Sequence, residues 1–142
     1  MFSSFFLAAS ADAATYYVAK TGKDTNICTQ AQTQSTPKLT IKSGIICLKV
    51  GDTLIIKAGI YGEGVVAAPT GGTATNRITA KANPGETVVI THAGTAIDCL
   101  MCFTQVAQSY VTVEGVILAA ADVTTYGIWI RNANHITLET LK

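Results

Sequence analysis

The apolar residues of this 142-residue chain fall into two textures. From Asp52 onward they form short runs, "TLIIKAGIY", "NRITAKA", "ETVVITH", "YVTVEGVIL", "GIWIRNA" and "HITLETL", separated by "GG", "NPGE" and "NAN". Runs of this length and texture, bounded by Gly, Asn, Pro and Asp, are the signature of β-strands. Before Asp52, "TYYVAKTG" alternates until Gly22 and predicts a short strand, and the polar "KDTNICTQAQTQSTP" predicts a loop. Thr36 then offers an N-cap and Pro37 a first helical position. Ile41, Ile45 and Leu48 recur at spacings of 4 and 3, one face of a helix of about three turns from Leu39 to Leu48, ended by Val50-Gly51-Asp52.

The spacing of the β runs separates the all-β architectures. Leu54, Ile78, Val111 and Ile136 recur at intervals of 24, 33 and 25 residues, and Val111, Val113 and Val116 match Ile136, Leu138 and Leu141. A unit of about 25 residues with one insertion predicts stacked coils. A sandwich would show hairpin turns of about two to five residues and no such phase match. In stacked coils each strand lies about 4.8 Å above the one before it, so aliphatic residues form continuous inner rows. The first coil has an open edge, which must be covered if the chain is not to aggregate. The amphipathic stretch from Pro37 to Leu48 is placed to be that cover.

Composition narrows the setting. The formal charge is +1 and 13% of residues are charged, which gives no footprint for nucleic acid or an anionic membrane. Phe5 to Ala9 form an apolar stretch too short to span a bilayer. Ala11-Asp12-Ala13 fits a small-x-small cleavage site that would leave Ala14 as the new N-terminus. A basic n-region is missing after Met1. Residues 1–13 therefore read as a partial signal peptide and 14–142 as the folded domain, secreted to an extracellular or periplasmic space. The alternative is a buried apolar segment of a cytosolic protein. Four cysteines allow three pairings. A Cys28–Cys47 bridge, pinning loop to helix, is the first choice. Cys99 and Cys102 form a lone C-x-x-C without the second ligand pair that zinc needs, and read as two half-buried thiols or a local disulfide.

The stretches "YYVAKTGKDTN", "TPKLTIKSGI" and "VGDTLIIKAGIYGE" resemble the opening segment of secreted right-handed parallel β-helix proteins. "RITAKANPGETVVI" resembles their next coil, and "YVTVEGVIL" with "GIWIRNANHITLETLK" resembles later repeats. The resemblance is to the pectin-lyase-like superfamily, with its polysaccharide lyases of pectate-lyase and chondroitinase-B type. It implies an all-β, right-handed parallel β-helix with a short N-terminal capping α-helix, truncated because such proteins stack more coils than this chain supplies. It implies a carbohydrate-active parent, a lyase of acidic polysaccharide, with catalytic base and calcium-binding carboxylates in later coils. No catalytic residue is carried over, and no cofactor or metal is assigned to this chain. The open C-terminal coil edge is expected to pair with further coils or to self-associate. A non-catalytic surface, adhesion or carbohydrate-binding protein is the alternative, since the fold hosts many activities.

Within the chain, Trp129 and Arg131 are the candidate substrate-binding pair. With Ile128 and Ile130 inward, alternation puts both outward, where an indole can stack on a sugar and a guanidinium can hold a uronate carboxylate. Asp98 and Asp122, 24 residues apart, could stack and share calcium, but ordinary turn aspartates are the better reading. Lys57, Arg77 and Lys81 read as a solvated basic face, His92 and His135 as turn residues, Asp52 as the helix exit, and Glu63 as a tie for the Tyr61-Gly62 turn.

Overall fold

The computed structural model describes residues 12–63, 66–67, 69–92, 99–104, 106–119 and 126–141. Its elements are β1 (Thr15–Val18), α1 (Ile41–Ile45), β2 (Thr53–Ile56), β3 (Gly59–Gly62), β4 (Val66–Ala67), β5 (Ile78–Ala82), β6 (Val88–Thr91), β7 (Cys99–Phe103), β8 (Val111–Glu114), β9 (Val116–Leu118), β10 (Tyr126–Ile130) and β11 (Thr137–Glu139). They form three sheets, ordered β1-β2-β5-β8-β11, β3-β6-β9 and β4-β7-β10. Every strand pair is parallel. The chain is thus mostly β, with parallel sheets and almost no helix, a β-helix-like arrangement.

Register explains why these sequences fold this way. One inner row of the five-stranded sheet runs Tyr16, Leu54, Ala80, Val113, Leu138. The first four are buried, while Leu138 in the outermost strand is 39% exposed. In the β3-β6-β9 sheet, Tyr61, Ile90 and Leu118 align, and Val88 aligns with Val116. Each fully buried aliphatic side chain contributes roughly 1.5–3 kcal/mol, so the rows dominate the stability. The outer face carries an unbroken column of threonines: Thr15, Thr53, Thr79, Thr112 and Thr137. β-Branched residues suit such a pleated, half-buried surface.

Three expectations need correction. The helix is five residues long, not three turns, and its N-cap is Thr40, whose hydroxyl accepts from Ser43 N at 3.1 Å. Pro37 and Lys38 are drawn away from helix by pairing with the first strand: Lys38 N donates to Tyr17 O and Ala19 N to Lys38 O, both at 2.9 Å. The apolar face was still read correctly, since Ile41, Ile45 and Leu48 are all buried. The third correction is to the phase of the first repeat: Leu54 lies beside Ala80, not Ile78, whereas Ile78 does pair with Val111. A shift of two residues keeps the same face inward, so the alternation alone could not reveal it. Gly44 lets the helix seat closely, because a Cβ there would stand 2.5 Å from Val18 Cγ2 and 2.9 Å from Leu54 Cδ1.

Candidate functional site

Strand β10 lies parallel to β7, with Ile128 beside Met101, Trp129 beside Cys102 and Ile130 beside Phe103. Met101 and Phe103 are buried and Ile128 packs on the core, so this set faces inward. Trp129 and Cys102 therefore face the opposite way, and both are half-buried. Arg131 follows the strand; its backbone N–H donates to Phe103 O at 2.7 Å and its side chain is exposed. The two proposed contact residues thus sit two positions apart at the end of β10. Ile130, expected inward, is 44% exposed. A disulfide joins Cys102, beside Trp129, to the buried Cys99. The arrangement offers an aromatic side chain and a cation, which can bind a sugar but supplies no base for chemistry.

The remaining candidates are mostly structural. Arg77 is not a solvated cation. Its Nε donates to Thr112 Oγ1 at 3.0 Å, and its Nη2 lies 3.0 Å from Val111 O, 2.7 Å from His135 O and 2.8 Å from Thr137 Oγ1. One guanidinium thus ties β5 to β8 and β11. Lys57 Nζ donates to Gln34 Oε1 at 2.9 Å, and Lys81 stands in register with Glu114. Glu63 does not tie its own turn. Its carboxylate accepts from Ile41 N at 2.6 Å and Lys42 N at 2.8 Å, holding the first N–H groups of α1. Asp52 serves the helix exit as expected, accepting from Lys49 N at 2.8 Å.

His135 is a turn residue, with φ of 53°, and its ring stacks on Tyr110 (φ 57°) at 4.2 Å between centroids. These two residues begin the matched repeats, so the repeat is visible as a stacked aromatic pair at one corner. His92 follows β6, and neither of its buried ring nitrogens has a hydrogen-bond partner among the described residues. Asp98 and Asp122, the calcium alternative, lie outside the described residues. Among the described residues no three His, Cys, Asp or Glu side chains converge as metal ligands. No helix among them is long and apolar enough to cross a membrane.

Among the described residues, three ionisable groups are displaced from their ordinary behaviour. Burial alone would raise the Asp24 carboxyl, but hydrogen bonds from Thr40 and Leu39 N–H and from hydroxyls outweigh it and hold the group below its usual value. The Ala58 N–H and the Asn83 amide lower Glu86. Burial, with the nearby charges of Glu63 and Glu86, pushes the Tyr61 phenol up to about 12. Asp24 and Glu86 lie in the connecting segments and Tyr61 in β3, none of them on β10. A polar hollow of about 300 Å³ lies between Asp12, Ala13, Gly51, Asn76 and Arg77. A second, of about 230 Å³, is lined by Lys81, Asn83, Glu86, Glu114 and Thr140. Trp129 and Arg131 line neither. Sequence reasoning missed the Arg77 clamp and the Asp24 cap; Thr112 and Thr137, at the same place in the two matched repeats, were the available signal for the hydroxyls that Arg77 uses.

No protein-family model matches the chain, and no curated protein matches it. Among solved structures, the complex of XylC with xylose is similar at 40% identity over 54% of this chain, with a TM-score of 0.47. The matched region spans 11% of that protein's length. A superposition this partial carries no argument about fold or activity.

Proposed function

We propose that the chain is the N-terminal part of a secreted, carbohydrate-active protein built as a right-handed parallel β-helix, with α1 capping its first coil. The parent is a polysaccharide lyase acting on an acidic polymer, with its base and any calcium site in coils that stack beyond β11. The observation that carries this reading is the parallel stacking in which later segments of the chain each add a strand to an existing sheet. Right-handed crossovers are the rule for parallel strands. Burial of Ile41 and Ile45, and the close seat of Gly44 against Val18 and Leu54, support the cap, and the exposure of Leu138 and Ile130 supports further coils. The family resemblance of residues 15–142 supplies the activity. Two disulfides fit an oxidising compartment. Trp129 and Arg131 hold a uronate unit, the indole on the ring face and the guanidinium on the carboxylate.

The test compares the whole coding region with the 142-residue chain on polygalacturonate and related acidic polymers, following the unsaturated ends that lyase cleavage creates. The parent is expected to cleave, the 142-residue chain is not, and Trp129→Ala or Arg131→Ala in the parent raises KM more than it lowers kcat. Turnover by the 142-residue chain alone, or none by the parent, would refute the reading. Binding by the parent without cleavage would favour a non-catalytic carbohydrate-binding or adhesion protein, to which the Trp129–Arg131 surface is equally suited.

A further inference from the structure

Asp52 is 4% exposed, and both its carboxylate oxygens are engaged by backbone N–H groups. Oδ2 accepts from Lys49 N and Oδ1 from Ala14 N, each at 2.8 Å. Ala14 is also the first of the described residues held by pairing: its carbonyl accepts from Thr53 N at 2.9 Å, and it packs on the core. The two residues before it, Asp12 and Ala13, are exposed. The chain therefore changes at the Ala13–Ala14 bond from an accessible segment to one held in the sheet. That bond is the one the Ala11-Asp12-Ala13 pattern marks for cleavage.

We propose that removal of residues 1–13 creates a buried-carboxylate ion pair, in which the new α-ammonium of Ala14 replaces the amide N–H on Asp52. A leader peptidase adds water across the Ala13–Ala14 peptide bond. Ala13 leaves as a carboxylate, and the Ala14 amine takes up a proton to become a cation. The amine inherits the 2.8 Å contact with Oδ1 without a change in backbone path. A neutral donor to a buried carboxylate becomes a charged one, which is the stronger bond. Processing thereby locks β1 to the β2 end of the first sheet pair, and the protein is more stable after cleavage than before. The charged groups near this site are Asp12, which departs with the leader, Lys49 on the chain leaving α1, and Arg77 across the hollow. The guanidinium of Arg77 is occupied by β8 and the residues around β11, so it does not compete for Asp52.

The proposal rests on the export reading, and the experiment separates the two. The full chain is produced in an exporting bacterium and in an unexported, oxidised form, and the exported Asp52→Asn variant is made alongside. Mass spectrometry reads the first residue, and thermal unfolding is followed from pH 7 to pH 10. The amine is expected to titrate above the ordinary α-amino range of about 7.7–8.0. A raised folded value means that its stabilisation is complete below that range and lost as pH rises through the folded value. The exported chain should begin at Ala14, and its Tm should fall across the range by roughly 4 °C more than that of the unexported chain or the variant. Should Asp52→Asn not fold, the pH midpoint for acylation of the Ala14 amine in the wild type reads the same coupling. An ordinary midpoint, a different first residue, or equal slopes would overturn the proposal. A chain that is never exported would sink the export reading together with it.

Discussion

Replacing Arg77 by Met removes the clamp that joins three strands while keeping the aliphatic stem. Four acceptors surround the guanidinium, but Nε carries one hydrogen and Nη2 two, so three hydrogens are shared among them. Arg77 is half-buried, so water compensates part of the loss, and each bond is weighed as a neutral one at about 1 kcal/mol. The variant should lose about 3 kcal/mol, which for a chain of this size lowers Tm by roughly 10 °C. Arg77→Lys should fall between, since an ammonium on a shorter stem cannot reach acceptors on both β8 and β11. The losses should concentrate at the far end of the clamp. Amide hydrogen exchange at Leu138 and Glu139 should accelerate more than at Leu54 and Ile55. Thermal unfolding by circular dichroism, with exchange followed by mass spectrometry, reads both effects. A Met variant within roughly 3 °C of wild type, with unchanged exchange in β11, would refute the reasoning.

Three further outcomes follow from the same contacts. Asp24 is held below its usual value by the N–H groups at the start of the helix, so its contribution is present above about pH 3.9 and lost as pH falls through the lower folded value; Asp24→Asn should flatten the acid limb of a Tm–pH curve, and an unchanged limb would count against the cap. The Tyr61 phenol, pushed up to about 12 and donating to Lys57 O at 2.8 Å, should stay protonated through the ordinary phenol range, so its stabilisation is full below about pH 10 and lost as pH rises through the folded value; ultraviolet titration of Tyr61→Phe against wild type should remove an alkaline step near pH 12. The Cys28–Cys47 disulfide closes a separation of 19 residues, and replacing both by Ser should cost about 3 kcal/mol in denaturant unfolding; a loss near zero would mean that the loop is held by its hydrogen bonds alone.

The alternation of apolar residues made the strands and their inward faces legible, because a parallel stack repeats the same burial in each layer. The Cys28–Cys47 pairing and the buried face of the helix were readable for the same local reasons. What escaped was decided between layers. Thr36 as a cap and Pro37 as a first helical position predicted an early helix start, but pairing of Lys38 with Tyr17 and Ala19 overrode both. Strand β7 was hidden because Leu100 is buried on the face opposite Met101, so "CLMCF" does not alternate. Arg77 looked like a surface cation because its acceptors lie 34 to 60 residues further along the chain. Of the candidate site, the outward direction of Trp129 and the exposure of Arg131 were legible from alternation, whereas the Cys102 neighbour of Trp129 depends on a register that no local pattern fixes.

The central claim is that strands from successive passages of the chain lie parallel and in register, so that like residues stack. Nuclear Overhauser contacts between backbone protons of β5, β8 and β11 test it directly. The expected pattern links Ala80 to Val113 and Val113 to Leu138 through amide-to-α contacts of parallel pairs. Close α-to-α contacts between these strands, or a register that puts Thr112 beside a residue other than Thr79 and Thr137, would contradict it.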